Sequence, residues 1–290
     1  MKNILFLCTL VYLLVCSSAY GGTPDASVPP PNNQFPQEYQ SFESLFTLYQ
    51  PYLENITAYE PIYFLVGTNP AKSKFQISFK YRFFNNAAPL AQTYPWMKGF
   101  NFGYTQTSFW DLAATSRPFA DTSYKPELFF ISSNLYQGNE RNSRVFAQTG
   151  LQHESNGKSD ADSRGTNIAY IKPIVIFFSE KQSQGLQIAP KFWAYYKNDN
   201  ENNPDLKYYR GYVDLEVTCG RPDRLVVESH FQPAREGNSF TVNLTYPAHQ
   251  LFLRNLEFYV HVQYSNVLAE SLLHYQERTE AMRLGISLVR

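Results

Sequence analysis

Leu256-Glu-Phe-Tyr-Val-His-Val-Gln-Tyr264 decides the architecture. Leu256, Phe258, Val260, Val262 and Tyr264 take every second position, and Glu257, His261 and Gln263 stand between them. A strand sends successive side chains to opposite faces, so this stretch has one apolar face and one polar face. The period recurs in Phe75, Ile77, Phe79, Tyr81 and Phe83. Val213, Leu215 and Val217 alternate with Tyr212, Asp214, Glu216 and Thr218, and Phe240, Val242, Leu244 and Tyr246 with Ser239, Thr241 and Asn243. About twelve such segments of roughly ten residues follow one another, separated by clusters of Asn, Asp, Gly, Pro and Ser.

Alternation alone does not say which face is outermost, because a soluble sandwich shows the same pattern with the polar face in water. Targeting and strand length favour a membrane. Residues 1–19 read as a signal peptide: Met1-Lys2-Asn3, an apolar run from Ile4 to Val15, then Ser17, Ser18 and Ala19, with cleavage expected after Ala19. The run is shorter than the ~20 residues of a spanning helix. Strands of about ten residues are roughly twice the soluble average and long enough to cross a bilayer. The fold class expected is therefore all-β, a transmembrane antiparallel β-barrel of about twelve strands. Residues 20–45, rich in Pro, Asn, Gln and Ser at their start, are expected to be a flexible periplasmic leader, and 46–290 to form the barrel.

Composition excludes other classes. The 290 residues carry 25 basic and 25 acidic side chains, so no global field attracts nucleic acid. Tyr and Phe number 22 and 23, yet mean hydropathy is negative. A barrel reconciles the two, since its strands show lipid only at alternate residues. Of Cys8, Cys16 and Cys219 only the last survives the expected cleavage, so no intrachain disulfide can staple the mature fold. Lys191, Glu216, Glu228, His230 and His261 fall on polar faces, where a narrow lumen would make them bond to one another.

The chemistry lies in Gln148–Asn167, QTGLQHESNGKSDADSRGTN. Val145, Ala147, Thr149, Leu151, His153 and Ser155 share one face, and Asn167 heads the next apolar stripe, Ala169, Ile171, Pro173, Val175 and Phe177. A hairpin brings the two stripe ends together, placing a hydroxyl, an imidazole and a carboxamide at the edge of an apolar wall. In those roles His153 takes the proton of Ser155, and the Asn167 oxygen accepts from the far ring nitrogen. Asp160 and Asp162, in the intervening loop, read as turn formers. A passive porin or structural barrel is the alternative; it needs no nucleophile on its lipid face. A soluble lipase would want a Gly-x-Ser-x-Gly elbow, and the sequence has none.

The pattern H-x-S-N-G-x-S-D-x-x-S-R-x-x-N resembles the active-site signature of the outer-membrane phospholipase A family. Four further blocks are similar to that family in family order: Tyr104–Leu112, Ser116–Phe129, Asn202–Tyr212 and Ala269–Gln276. The resemblance implies a twelve-stranded barrel of the bacterial outer membrane with its N-terminus in the periplasm. It also implies calcium-dependent release of fatty acids from phospholipids and lysophospholipids, with activation by homodimerisation. Residue by residue, it makes Ser155 the nucleophile, His153 the base and Asn167 the orienter, with the Gly157 amide in the oxyanion hole. The calcium would be held by the Lys158 and Ser163 carbonyls and by the Ser116 hydroxyl of a facing subunit. Lys158 stands where the family usually has arginine, and a carbonyl ligand is indifferent to that change. Gln106 is expected in the dimer interface, where a buried carboxamide needs a partner.

Overall fold

A computed structural model describes residues 52–137, 143–179, 183–251 and 255–290; the signal peptide and the leader expected in 1–45 lie outside them. The chain forms β1 (Ile56–Ala58), β2 (Ile62–Gly67), β3 (Ser73–Arg82), β4 (Phe100–Trp110), β5 (Phe119–Ile131), β6 (Tyr136–Gln137) and β7 (Ser143–Ser155). It continues with β8 (Gly165–Ser179), β9 (Gln184–Tyr195), β10 (Val213–Gly220), β11 (Val226–Gln232), β12 (Ser239–Pro247), β13 (Tyr259–Leu268) and β14 (Arg278–Val289). Two short helices, α1 (Pro89–Thr93) and α2 (Leu206–Arg210), sit in connections.

β1 and β6, of 3 and 2 residues, flank the sheet, which leaves twelve strands in the wall. Each pairs antiparallel with its sequence neighbour, β14 pairs with β2, and β3–β4 completes the circuit. Closure removes the unpaired edges that make an open sheet prone to aggregate, and it satisfies the backbone inside a medium without water. No helix among the described residues is long and apolar enough to cross a membrane.

The two faces divide as the alternation requires. Ile77, Leu128, Leu151, Ile171, Phe177 and Leu284 are exposed on the outside, forming an apolar belt. Inside, polar groups pair with one another. The Arg283 guanidinium, 1% exposed, donates to Gln263 (2.9 Å), Ser265 (2.9 Å) and Glu270 (2.8 Å). His230 lies between Asp214 (2.9 Å) and Glu228 (3.1 Å), and Lys172 meets Glu216 at 2.6 Å. This barrel carries its polar core on its axis and its apolar surface outside, the reverse of a soluble domain. Side chains do not fill the lumen completely: cavities of about 580 and 240 Å³ remain within it.

The turns divide between two ends. One end carries 68–72, 111–118, 156–164, 196–212, 233–238 and 269–277. Over it, Leu206, Leu272, Tyr275 and Ala269 form a small buried cluster with Tyr209 packed against it. Tyr275 hydroxyl donates to Asp205, and burial together with that carboxylate pushes the phenol up to about 12. The alternation of Leu256 and Phe258 runs on past the pairing, because β13 begins only at Tyr259.

Candidate active site

β7 and β8 are the longest adjacent pair, and their register sets His153 directly opposite Asn167 and Ser155 opposite Gly165. Side chains so opposed on one face are ~5 Å apart at Cβ, within reach of a direct hydrogen bond. His153 Nδ1 and Asn167 Oδ1 are 2.9 Å apart. Asn167 Nδ2 donates to the Lys197 carbonyl at 2.6 Å, so only its oxygen can face the ring. That assigns the proton to Nδ1 and leaves Nε2 as an acceptor.

Ser155 lies two residues from His153 on the same outward stripe, half-buried, ~6.6 Å along the strand. No hydrogen bond joins its hydroxyl to the imidazole among the described residues. Catalytic hydrogen bonds are commonly longer before a substrate is bound. Glu154, between the two, points into the lumen, where Arg210 Nη1 donates at 2.5 Å and Ser123 Oγ at 2.6 Å. The strand is thus braced from behind at the position between its two reactive residues.

Beyond Ser155 the chain turns. Asn156, 4% exposed, closes the loop with one side chain: its Oδ1 accepts from Arg164 N (3.0 Å) and Lys158 N (3.3 Å), and its Nδ2 donates to Asp162 O (2.8 Å). Gly157 has φ +67°, and a Cβ there would sit 2.8 Å from the Tyr124 ring, so both the conformation and the space call for glycine. Its N–H makes no hydrogen bond among the described residues, and it is exposed. Asp160–Asp162 form one 3-10 turn, in keeping with their reading as turn formers.

The candidate calcium ligands lie at the same end. Ser163 O accepts from Arg164 Nη1 at 2.8 Å, which leaves it a second lone pair, and Lys158 O makes no hydrogen bond among the described residues. Lys158 Nζ reaches Ala120 O at 3.3 Å, tying this loop to the start of β5. Ser116 is exposed in the preceding turn, 111–118. The donors are all oxygen, as a hard cation prefers, and carbonyls need no carboxylate cluster beside them. Among the described residues no group of three or more His, Cys, Asp or Glu is placed to hold a metal.

Gln106 lies on the outward stripe of β4, opposite Ile77 and Tyr124, and Tyr124 in turn faces Ser155. It is therefore two strands, ~10 Å, from the nucleophile's row. The expected need for a partner is met within its own strand: Tyr104 hydroxyl donates to Oε1 (3.0 Å), and Nε2 donates to Ser108 Oγ (3.2 Å). Sequence reasoning gave no role to Glu154, Lys197, Asn203 or Arg210. Only their place in or beside conspicuous blocks could have drawn attention to them.

A family model described as phospholipase A1 matches residues 39–288. The phospholipase A1 of Salmonella typhimurium is 26% identical over 265 residues, 86% of this chain and 84% of that protein. The phospholipase A1 of Escherichia coli K12 is 28% identical over 188 residues, 64% of this chain and 60% of that protein. Among solved structures, outer membrane phospholipase A from Escherichia coli aligns with a TM-score of 0.64 at 22% identity, covering 80% of this chain and 94% of that one. The Salmonella typhi outer membrane phospholipase, a dimer with bound calcium, also aligns at 0.64 and 22%, covering 80% and 92%. An active-site asparagine-to-alanine mutant of the Escherichia coli protein aligns at 0.63. The barrel is thus a phospholipase and not a passive porin: the chain belongs to the phospholipase A1 family.

Proposed function

We propose that the protein releases fatty acids from phospholipids and lysophospholipids by a Ser155-His153-Asn167 triad, with calcium and as a homodimer in the bacterial outer membrane. The observation that carries the reading is the 2.9 Å pairing of His153 Nδ1 with Asn167 Oδ1 on a lipid-facing stripe, one step from Ser155. Membrane substrate reaches such a site by lateral diffusion, without leaving the bilayer.

His153 Nε2 takes the proton from Ser155 Oγ as Oγ bonds to the acyl carbonyl carbon, whose oxygen becomes an oxyanion. The free Gly157 N–H donates to that oxygen. As the carbonyl re-forms, the ester C–O bond breaks and the glycerol oxygen leaves with the proton held by His153. Water then attacks the acyl-serine with His153 again as base, and the fatty acid departs. Asn167 is neutral, so it orients the ring without supplying the charge that a carboxylate would set against an imidazolium.

Calcium would be held by the Lys158 and Ser163 carbonyls and the Ser116 hydroxyl of a second copy, and when bound it supplies positive charge beside the oxyanion. Support for calcium and dimerisation comes from the Salmonella typhi relative, a calcium-bound dimer, and support for Asn167 from the relative's active-site asparagine. A second barrel also supplies the missing wall against which an acyl chain lying along β4, β5 and β7 can pack, with Gln106 in the interface. We place the N-terminus in the periplasm; Tyr52 and Arg290 lie at the end opposite loop 156–164, which then faces the exterior. Fatty-acid release from phospholipid micelles with calcium is the test, with Ser155→Ala as its control. Loss of at least ~10³ in a folded barrel is expected, and near-normal turnover would overturn the assignment.

A further inference from the structure

The β8 strand has unequal neighbours near the candidate triad. On one side its pairing with β7 runs to its first residue, Gly165 opposite Ser155. On the other side its pairing with β9 ends at Ile168 opposite Tyr195. Gly165, Thr166 and Asn167 therefore have no strand beside them on that flank, at the place where Asn167 has to be held still. A frayed strand end is the least stable part of a sheet.

The loop 196–212 fills that flank without being a strand. Tyr196 N donates to Asn167 O (3.2 Å), and Asp199 N donates to Gly165 O (3.2 Å). The remaining contacts come from one side chain. Asn203 Oδ1 accepts from Gly165 N at 3.1 Å, and Asn203 Nδ2 donates to Gly165 O at 3.1 Å, so a carboxamide takes the place of a neighbouring strand's peptide group. Asn203 is wholly buried, and Nδ2 also donates to Asn198 Oδ1 at 3.0 Å. Asn198 Nδ2 returns a bond to Asn203 O at 2.9 Å. The loop is anchored beyond it by buried Leu206 and by Arg210 on Glu154, behind the triad strand. The same loop presents the Lys197 carbonyl that turns Asn167.

Resting on the triad reading above, we infer that Asn203 is a positioning residue for the hydrolysis: by pinning Gly165 it fixes Asn167, and through Asn167 the imidazole of His153. It touches neither substrate nor reacting atoms. Its removal affects the rate only through the orientation of Asn167, and that gives the inference a signature that barrel stability lacks.

The experiment is a double-mutant cycle on the full-length protein in detergent micelles, measuring fatty-acid release with calcium in excess. The variants are Asn203→Ala, Asn167→Ala, the pair, and Ser155→Ala as control, each scaled to its folded fraction by heat-modifiable electrophoretic mobility. Asn203→Ala is expected to lower kcat by ~10-fold with KM unchanged, and to change kcat less than ~2-fold once Asn167 is already alanine. The isosteric Asn203→Asp keeps an acceptor for Gly165 N but loses the donor to Gly165 O. It is expected to fall between the wild type and Asn203→Ala, and it replaces Asn203→Ala in the cycle if the latter does not fold. Equal losses in both backgrounds, an effect confined to KM, or no loss would overturn the inference and leave the triad intact. Turnover surviving in Ser155→Ala would instead overturn the triad, and the inference with it.

Discussion

Replacing Asn167 by alanine separates an orienting role from a charge-stabilising one. The change deletes two hydrogen bonds, 2.9 Å to the His153 ring and 2.6 Å to the Lys197 carbonyl. Only the first acts on the base; the second turns the carboxamide. A neutral hydrogen bond contributes a net ~0.5–1.5 kcal/mol, and releasing the ring to other rotamers adds a comparable amount, so the loss should be about 1–3 kcal/mol. That converts to roughly 5–160-fold in kcat. Were a carboxylate in its place, replacing it would cost ~10⁴-fold. Fatty-acid release from detergent-solubilised phospholipid, at saturating substrate and calcium, reads the difference directly. A loss as large as that of Ser155→Ala would refute a purely orienting asparagine, and a loss under ~2-fold would refute any orienting role.

Gly157→Ala combines a left-handed backbone, φ +67°, with a Cβ 2.8 Å from the Tyr124 ring; strain of ~1 kcal/mol or more at the oxyanion donor should lower kcat at least ~10-fold while the barrel stays heat-modifiable. Unchanged turnover would remove Gly157 from the mechanism. Chelation of calcium should abolish hydrolysis and shift cross-linked dimer toward monomer, and Ser116→Ala should raise the calcium needed for half-maximal activity; full activity of a monomer in excess chelator would refute both. Glu270 is buried, which opposes its ionisation, but Lys74 at 2.9 Å and Arg283 at 2.8 Å outweigh that and hold its carboxyl down at about 2, against 4.5 when free. A depressed folded value stabilises the ionised state above the unfolded pKa, so Glu270's contribution to the urea midpoint should be full above pH ~4.5 and be lost between pH ~4.5 and ~2, making that fall shallower in Glu270→Gln.

The wall of the barrel was legible because it obeys a period. Phe75 to Phe83 and Val260 to Tyr264 needed only alternation, and strand length together with the expected signal peptide then pointed to a membrane barrel. The pairing at the candidate site was legible for a related reason: His153 and Ser155 are two residues apart on one strand, and a single hairpin brings Asn167 opposite His153. The loop that holds Asn167 was not. Asn203 meets Gly165 across 38 positions of sequence, through a loop with no period and with its hydrogen bonds made by side chain to backbone. Nothing in local pattern specifies such a contact. Gln106 was expected to meet a second chain, and within its own chain Tyr104 and Ser108, two residues to either side on the same face, also bond to its carboxamide.

The lumen and the outer face impose opposite demands, and the site follows from that division. Each polar group in the lumen has to find a partner at the cost of leaving one buried, so Arg283, Glu270, His230 and Glu228 are committed to one another and cannot be spared for chemistry. The outer face is committed only to being apolar, and along most of β7 and β8 any polar side chain would cost transfer energy. At the strand end that cost falls, because water and head groups begin there. On the proposed reading, His153, Ser155 and Asn167 occupy that boundary, where an imidazole can be kept at the surface and still meet an acyl ester in the bilayer. The same position leaves them without the packing that fixes catalytic side chains in a cleft. Rigidity therefore has to come from behind, through Glu154 and Arg210, and from beside, through Lys197 and Asn203. On the triad reading, the cap over this end of the barrel therefore serves to position the site, through the Lys197 carbonyl on Asn167 and Asn203 on Gly165.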